Sequence, residues 1–425
     1  MTVLPPPPHR PFGMRLVNGV GRVAGRALGP RPSLAAEALR AEAVARTGFD
    51  DFGPLDFVEG LECLIDSLER EAQLHVIGRI SAKTQIVDAL SVRLELLAHR
   101  KAHPEVDGER IERPLFVLGL PRTGTTILYE LLALDPSSRS PVMWELSRPC
   151  PPPEPETYAN DPRIAPIEQH LARFRRMVPT LDAIHPMGAT LPQECLVTMA
   201  PSFRSYQFPL SFHVPSYVQW CTQADLAPAY HFHRFFLQHL QSRFRRERWV
   251  LKSPAHLGQL DALLAMYPDA RVIQTHRDPV EVIPSVSSLH HVVRGFGSDG
   301  LDPHALGAAQ VEYWGSALTR TMASRDQRPD LAQQFTDVHF EELLADPIAV
   351  VERVYAHFQM PLVPSTVDVM RAYLAAHPRG VHGQHQYSLE MFGLNAAGVA
   401  EKFGAYRARH GYDVGQAPAA RTSQP

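Results

Sequence analysis

The sequence predicts an α/β fold, a three-layer arrangement around a central parallel sheet, with a helical N-terminal extension and a helical insertion. Three observations predict it. Residues 114–136, PLFVLGLPRTGTTILYELLALDP, read as a buried strand (Leu115 to Leu118), a glycine-bounded loop and a helix beginning near Thr125. The strand-then-helix rhythm returns at RWVLKSP (248–254), ARVIQTHRDP (270–279) and QQFTDVHFEELLADP (333–347). Strands alternating with helices specify parallel pairing, with ligands at the carboxyl ends of the strands. Before and between these segments the apolar spacing is helical.

In chain order, residues 1 to about 32 are rich in proline, glycine and arginine, and the first acidic residue is Glu37. From Phe12 to Leu28 apolar residues recur at helical spacing with Arg15, Arg22 and Arg26 between them. This pattern suits either a helix packed on the domain surface or a weak contact with an anionic membrane surface. Ser33 is the expected N-cap of a helix through Arg46. Helical periodicity over 55–101 (Leu61, Leu64, Ile65, Leu68, then Ile86, Leu90, Leu94, Leu97) completes an extension spanning 1–112. The main domain covers 113–414. The run RPCPPPEPE (148–156) opens an insertion of about 150–245. Its aromatic-rich stretch between about 180 and 236 is the expected wall of an acceptor pocket, with most of those side chains in the core. Residues 415–425 have the composition of a disordered tail.

Composition narrows the function. The 425 residues are 44% apolar and 20% charged, with a net charge of −3, which gives no electrostatic basis for nucleic-acid binding. Cys63, Cys150, Cys195 and Cys221 form no C-x-x-C pair, so neither a zinc site nor a disulfide framework is indicated. The 21 histidines make chance pairs such as His231-x-His233, His290-His291 and His382-x-x-His385 unremarkable, and no metal is expected. With no secretion signal or spanning segment in the sequence, a cytoplasmic location is the expectation.

The loop Gly119-Leu-Pro-Arg-Thr-Gly124-Thr125-Thr126 has the glycine spacing of a P-loop, but Thr125 stands where the nucleotide triphosphatases carry lysine. A tight loop feeding a helix N-terminus still offers N–H groups and a favourable dipole to a phosphate. Arg122 supplies positive charge from within the loop. The segment is therefore built for a phosphate-like group but not for ordinary ATP or GTP hydrolysis. Further on, a strand over 271–275 ends in His276-Arg277-Asp278-Pro279, and Ser285 lies eight residues after Arg277. An arginine and a serine so placed can share one phosphate.

The two motifs, in this order and about 150 residues apart, resemble those of the sulfotransferases that use 3′-phosphoadenosine 5′-phosphosulfate (PAPS). The chain is more similar to the large bacterial members with a helical N-terminal extension than to the shorter cytosolic enzymes. The similarity extends to WVLKSPAHL (249–257), FEELLADP (340–347) and YSLEMFGL (387–394). It implies that Pro121, Arg122, Thr123, Gly124, Thr125 and Thr126 hold the 5′-phosphosulfate, and that Arg277 and Ser285 hold the 3′-phosphate. Lys252, at the end of a predicted strand, is a second cation for the sulfuryl group. Glu145 is the first candidate for general base, with His185 and Glu194 as rivals. His256 is read as structural or a donor-site neighbour, and His382, His385 and Tyr387 as part of a late segment lining the cleft. The implied partner is a small, apolar hydroxyl acceptor, and no magnesium is required. The alternatives are a P-loop kinase using Arg122 in place of lysine, or a nucleotide-binding protein of the same fold without transfer activity.

Overall fold

The computed structural model describes residues 4–6, 10–23, 32–177, 187–378 and 387–412, with the side chains of 20–23 and 177 excepted. His185, His382, His385 and the 415–425 tail lie outside the described residues.

Among the described residues five parallel strands form the sheet: β1 (Leu115–Gly119), β2 (Ser138–Arg139), β3 (Arg248–Lys252), β4 (Arg271–His276) and β5 (Phe335–His339), in the order β2-β3-β1-β4-β5. The central strand β1 pairs with β3 on one side (Val117 opposite Lys252) and with β4 on the other (Gly119 opposite Thr275). Strand order reverses at β1, so the crevice at its carboxyl end is where an open α/β sheet binds ligands. The two-residue β2 carries no sequence signal; it exists because Ser138 and Arg139 find partners on β3.

Every residue of β1 is buried, as a strand covered on both faces requires. Leu115 and Val117 pack with Leu128, Leu131 and Val351 on one face. Phe116 and Leu118 pack with Phe236, Leu240 and Trp314 on the other. Burying each such side chain contributes roughly 1.5–3 kcal/mol. The α/β class is as expected.

The helices before the sheet are α1 (Phe12–Val23), α2 (Ala36–Thr47), α3 (Val58–Arg70) and α4 (Val76–Ala102). Ser33 does not cap α2: the N-cap is Ala35, and the Ser33 hydroxyl accepts from the Ala35 N–H at 3.1 Å in the turn before it. The extension and the insertion share one core. Phe57, Leu61 and Leu90 of the extension cluster with Phe203, Phe208 and Tyr217 of the insertion. At Gly60 in α3 a Cβ would lie 2.3 Å from the Phe203 carbonyl oxygen, so the helix backbone rests directly on the insertion. Arg93 of α4 is buried beneath this contact, donating to the carbonyls of Phe52 (2.8 Å) and Pro54 (2.6 Å), with its guanidinium 4.5 Å from the Phe57 ring. The insertion aromatics Phe203, Phe208, Tyr217, Tyr230 and Phe236 are thus core.

Among the described side chains, helix α1 is fastened on one side. Met14 and Asn18 are buried, Asn18 accepts from the Ile77 N–H, and the neighbouring Arg10 donates to the Gly295 carbonyl at 2.9 Å. Phe12, Leu16 and Val17 are exposed.

Several histidines are buried in neutral form. Burial pushes His239 and His256 down to about 3, from an ordinary value of 6.5, and holds His233 and His290 well below it. Unfolding restores their ordinary basicity, so the unfolded chain takes up more protons between about pH 6.5 and 3. Stability is therefore full above pH 6.5 and falls as pH drops through that window, by up to about 1.4 kcal/mol per unit for each group. Scanning calorimetry should show the unfolding midpoint dropping steadily from pH 7 to about pH 5. A flat midpoint over that range would mean these rings are protonated in the fold.

Candidate active site

The loop between β1 and helix α5 (Thr125–Ala133) is shaped by close approach to β4. A Cβ on Gly119 would fall 2.2 Å from Thr275 Oγ1 and 2.6 Å from the Thr275 carbonyl oxygen, so only glycine lets the loop leave β1 there. Gly124 has φ 87°, and a Cβ would meet Leu343 at 2.7 Å. Arg122 also takes a left-handed conformation (φ 69°) and is exposed. Pro121 precedes it, half-buried.

The three threonines are not equivalent. Thr123 is buried, with its hydroxyl on the Leu120 carbonyl (2.6 Å) and the Thr275 hydroxyl (2.5 Å). It stitches the loop to β4, and only its backbone faces a ligand role. Thr125 opens the helix from a buried position, and Thr126 is exposed beside it. Thr275 was not apparent as a loop partner in the sequence, because the contact spans 152 residues.

The second motif reaches this loop directly. Arg277 Nη1 donates to the Arg122 carbonyl at 3.1 Å, and its guanidinium lies 4.2 Å from the Phe340 ring centroid. Nε and Nη2 hold Glu281 Oε2 at 3.1 and 2.9 Å, so a carboxylate occupies the arginine's outer edge. Asp278 caps the helix Pro279–Gly295 by accepting from the Val280 N–H, and receives both Arg407 Nε and Nη2 at 3.0 and 2.9 Å. Ser285 is buried two turns into that helix. Sequence spacing missed Glu281 and Arg407; an acid four residues after Arg277 is the one local signal available.

On the other side of β1, Lys252 ends β3 with Nζ 2.5 Å from Glu194 Oε1. The lysine side chain is 4% exposed and the carboxylate residue 19%, so the pair faces the surface only through the acid. The segment carrying Glu194 is fixed by the Tyr129 hydroxyl donating to the Gln193 carbonyl (2.9 Å), and by the Gln193 N–H donating to Pro141 (2.8 Å).

Glu145 lies elsewhere in character. It is fully buried at the start of α6 (Met143–Ser147), accepting from Arg139 Nη2 at 2.6 Å and from the Val142 N–H at 3.0 Å. Arg139 also donates to the Leu240 carbonyl (2.6 Å), with its guanidinium 4.8 Å from the rings of Phe244 and Trp249. The geometry makes Glu145 a structural counter-ion and helix cap, against its expected place facing an acceptor. His256 is buried with Nδ1 2.8 Å from the Tyr230 hydroxyl. Among the described residues no three His, Cys, Asp or Glu side chains gather as a metal ion would need. No described helix is long and apolar enough to cross a membrane.

The lysine-free glycine loop after β1, touched by an arginine from the next strand, and the lysine–glutamate pair on its other side lie together at the carboxyl end of the parallel sheet. The chain belongs to the sulfotransferase family: residues 114–364 match the family model described as "Sulfotransferase family". It is 26% identical over 317 residues to the omega-hydroxy-beta-dihydromenaquinone-9 sulfotransferase Stf3 of Mycobacterium bovis and of Mycobacterium tuberculosis, covering 71% of this chain and 75% of the relative. The sulfotransferase STF1 of Mycobacterium tuberculosis H37Rv is similar in structure, with a TM-score of 0.80, 33% identity and coverage of 88% of this chain and 100% of that one. STF9 of Mycobacterium avium aligns with a TM-score of 0.83 and 28% identity, over 90% of this chain and 98% of that one.

Proposed function

We propose that this chain transfers the sulfuryl group of PAPS to a hydroxyl of a small, apolar acceptor, releasing adenosine 3′,5′-bisphosphate. The observation that carries this reading is the direct contact of Arg277 with the lysine-free loop, because it sets two cationic phosphate sites side by side. Thr125, Thr126, Gly124 and the loop N–H groups hold the 5′-phosphate, while Arg277 and Ser285 hold the 3′-phosphate. Arg277 would exchange part of its bonding to Glu281 for the phosphate.

In the reaction the acceptor oxygen bonds to sulfur as the bond from sulfur to the bridging oxygen breaks, and the leaving bisphosphate takes that electron pair. Lys252 and Arg122 neutralise the charge growing on the bridging oxygen. Glu194 takes the acceptor's proton. Its carboxylate is partly open and lies beside Lys252, whereas Glu145 is sealed. A sulfuryl group carries less charge than a terminal phosphoryl group, so these cations can act without magnesium.

An apolar acceptor is supported by the omega-hydroxy-beta-dihydromenaquinone-9 for which the Stf3 relatives are named. It is supported too by the outward apolar side of α1, in a segment with Arg10, Arg15, Arg22, Arg26 and Arg31 ahead of the first acid. This helix suits a weak contact with an anionic membrane surface. Replacing Phe12 and Leu16 by serine should reduce co-sedimentation with phosphatidylglycerol vesicles several-fold; unchanged sedimentation would sink the membrane reading.

Calorimetric titration with adenosine 3′,5′-bisphosphate, without magnesium and with AMP as control, tests the donor site. Arg277→Ala should weaken the bisphosphate about 10–100-fold, the value of a charge-assisted hydrogen bond, and AMP much less. Equal losses for both ligands would remove Arg277 from the 3′-phosphate. No preference of the unaltered protein for the bisphosphate, with magnesium-dependent ATP turnover, would favour a kinase.

A further inference from the structure

A cavity of about 320 Å³ opens between the insertion and the two long helices Pro279–Gly295 and Pro303–Gln327, and none of the donor-loop residues, Lys252, Glu194 or Arg277 lines it. Arg294 on its wall is nine residues beyond Ser285, roughly 13 Å along the helix. The Arg294 side chain is buried, and its Nε donates to the Pro209 carbonyl at 2.9 Å. Among the described residues no carboxylate pairs with it, and its side chain lines the cavity. A second guanidinium, Arg320, shares the wall. Among the described residues its hydrogen-bond partners are neutral, the Gly258 carbonyl (3.2 Å) and the Ser316 hydroxyl (2.8 Å). The one carboxylate on the wall, Glu312, is held by Lys402 at 2.5 Å.

The rest of the lining mixes apolar surface with His213, Gln219, Thr222 and Gln310. Tyr206 and Tyr313 stack with ring centroids 4.8 Å apart, and Val218 lies beside them. A buried guanidinium without a counter-charge is costly, and burial lowers the basicity of Arg294 accordingly. Arginine nevertheless stays charged in proteins. An anion entering the cavity relieves that cost and gains charge-assisted bonds from both guanidinium groups.

We infer that this cavity is a second binding site, for an amphipathic organic anion whose carboxylate or sulfonate meets Arg294 and Arg320 while its apolar body lies against Tyr206, Tyr313 and Val218. The site is independent of the sulfuryl-transfer reading, since none of its residues belongs to the proposed donor or transfer machinery.

The full chain should be titrated with 1-anilinonaphthalene-8-sulfonate by fluorescence, and in parallel with its uncharged analogue N-phenyl-1-naphthylamine. The expected result is one binding site for the sulfonate, retained in saturating adenosine 3′,5′-bisphosphate, with the uncharged analogue binding about tenfold more weakly. Arg294→Met and Arg320→Met should each lose about tenfold in sulfonate affinity while the chain stays folded. Val218→Trp, which fills the cavity, should lose binding as well. If Arg294→Met fails to fold, Arg320→Met, Val218→Trp and the comparison of the two probes on the unaltered chain decide the matter. Equal affinity for both probes, displacement by the bisphosphate, or full affinity in Arg320→Met and Val218→Trp would overturn the inference.

Discussion

Lys252→Ala is expected to lower turnover by about 10²–10³, the cost of removing one preorganised donor from a charge-stabilising site. Affinity for adenosine 3′,5′-bisphosphate should stay within a few-fold. The lysine ends β3 level with Val117 of β1, close to where the loop begins, and its ammonium touches Glu194. In the proposed reaction it would carry positive charge to the bond that breaks and orient the carboxylate that takes the proton. Lys252→Arg should not restore the rate, because a planar fork cannot occupy a nearly buried point-charge position. The double variant Lys252→Ala/Glu194→Gln should be little slower than the slower single variant, since residues acting as a unit are not additive. Single-turnover assays with labelled donor separate this from product release. Turnover within about threefold of the unaltered chain would remove Lys252 from the chemistry.

Glu145→Gln is expected to destabilise the protein by about 3 kcal/mol or more, the lower end for breaking a buried ion pair. The amide can still accept one hydrogen bond, but its NH₂ must then face either the Arg139 guanidinium or the Val142 N–H, both donors. Arg139 is itself buried, so its charge is left without compensation. Denaturant unfolding should show the loss, while turnover per folded molecule in the cold falls less than about tenfold. Replacing both partners together, Arg139→Met with Glu145→Leu, should recover much of the stability. The opposite pattern, normal stability with turnover lost a hundredfold, would return Glu145 to the role of base in place of Glu194.

These two glutamates mark the boundary between what sequence conveys and what it does not. Both stand in short polar-apolar stretches near the loop helix, and neither SPVMWEL nor TLPQEC states which way its carboxylate points. The capping geometry at Glu145 carries no Ser or Thr signature because its N-cap is Val142. The Lys252–Glu194 contact joins residues 58 apart through β3 and the segment that Tyr129 fixes. Likewise Thr123 reads as a phosphate ligand until Thr275 is seen against it. The shared core of extension and insertion was hidden because an apolar stripe shows that a helix is covered, not what covers it.

By itself the sequence determined the α/β class, the loop after β1 and the cationic strand end at Arg277. Each is written in consecutive residues with a local signal: glycines that turn the chain, a helix start, a short continuous apolar strand. Only the tertiary structure decided which carboxylate is open and which is sealed, which threonine hydroxyl is committed to the fold, and where uncompensated arginines meet a cavity. Those properties depend on burial and on partners distant in the chain, and a charge acquires its function from the dielectric and the counter-charges that folding places around it.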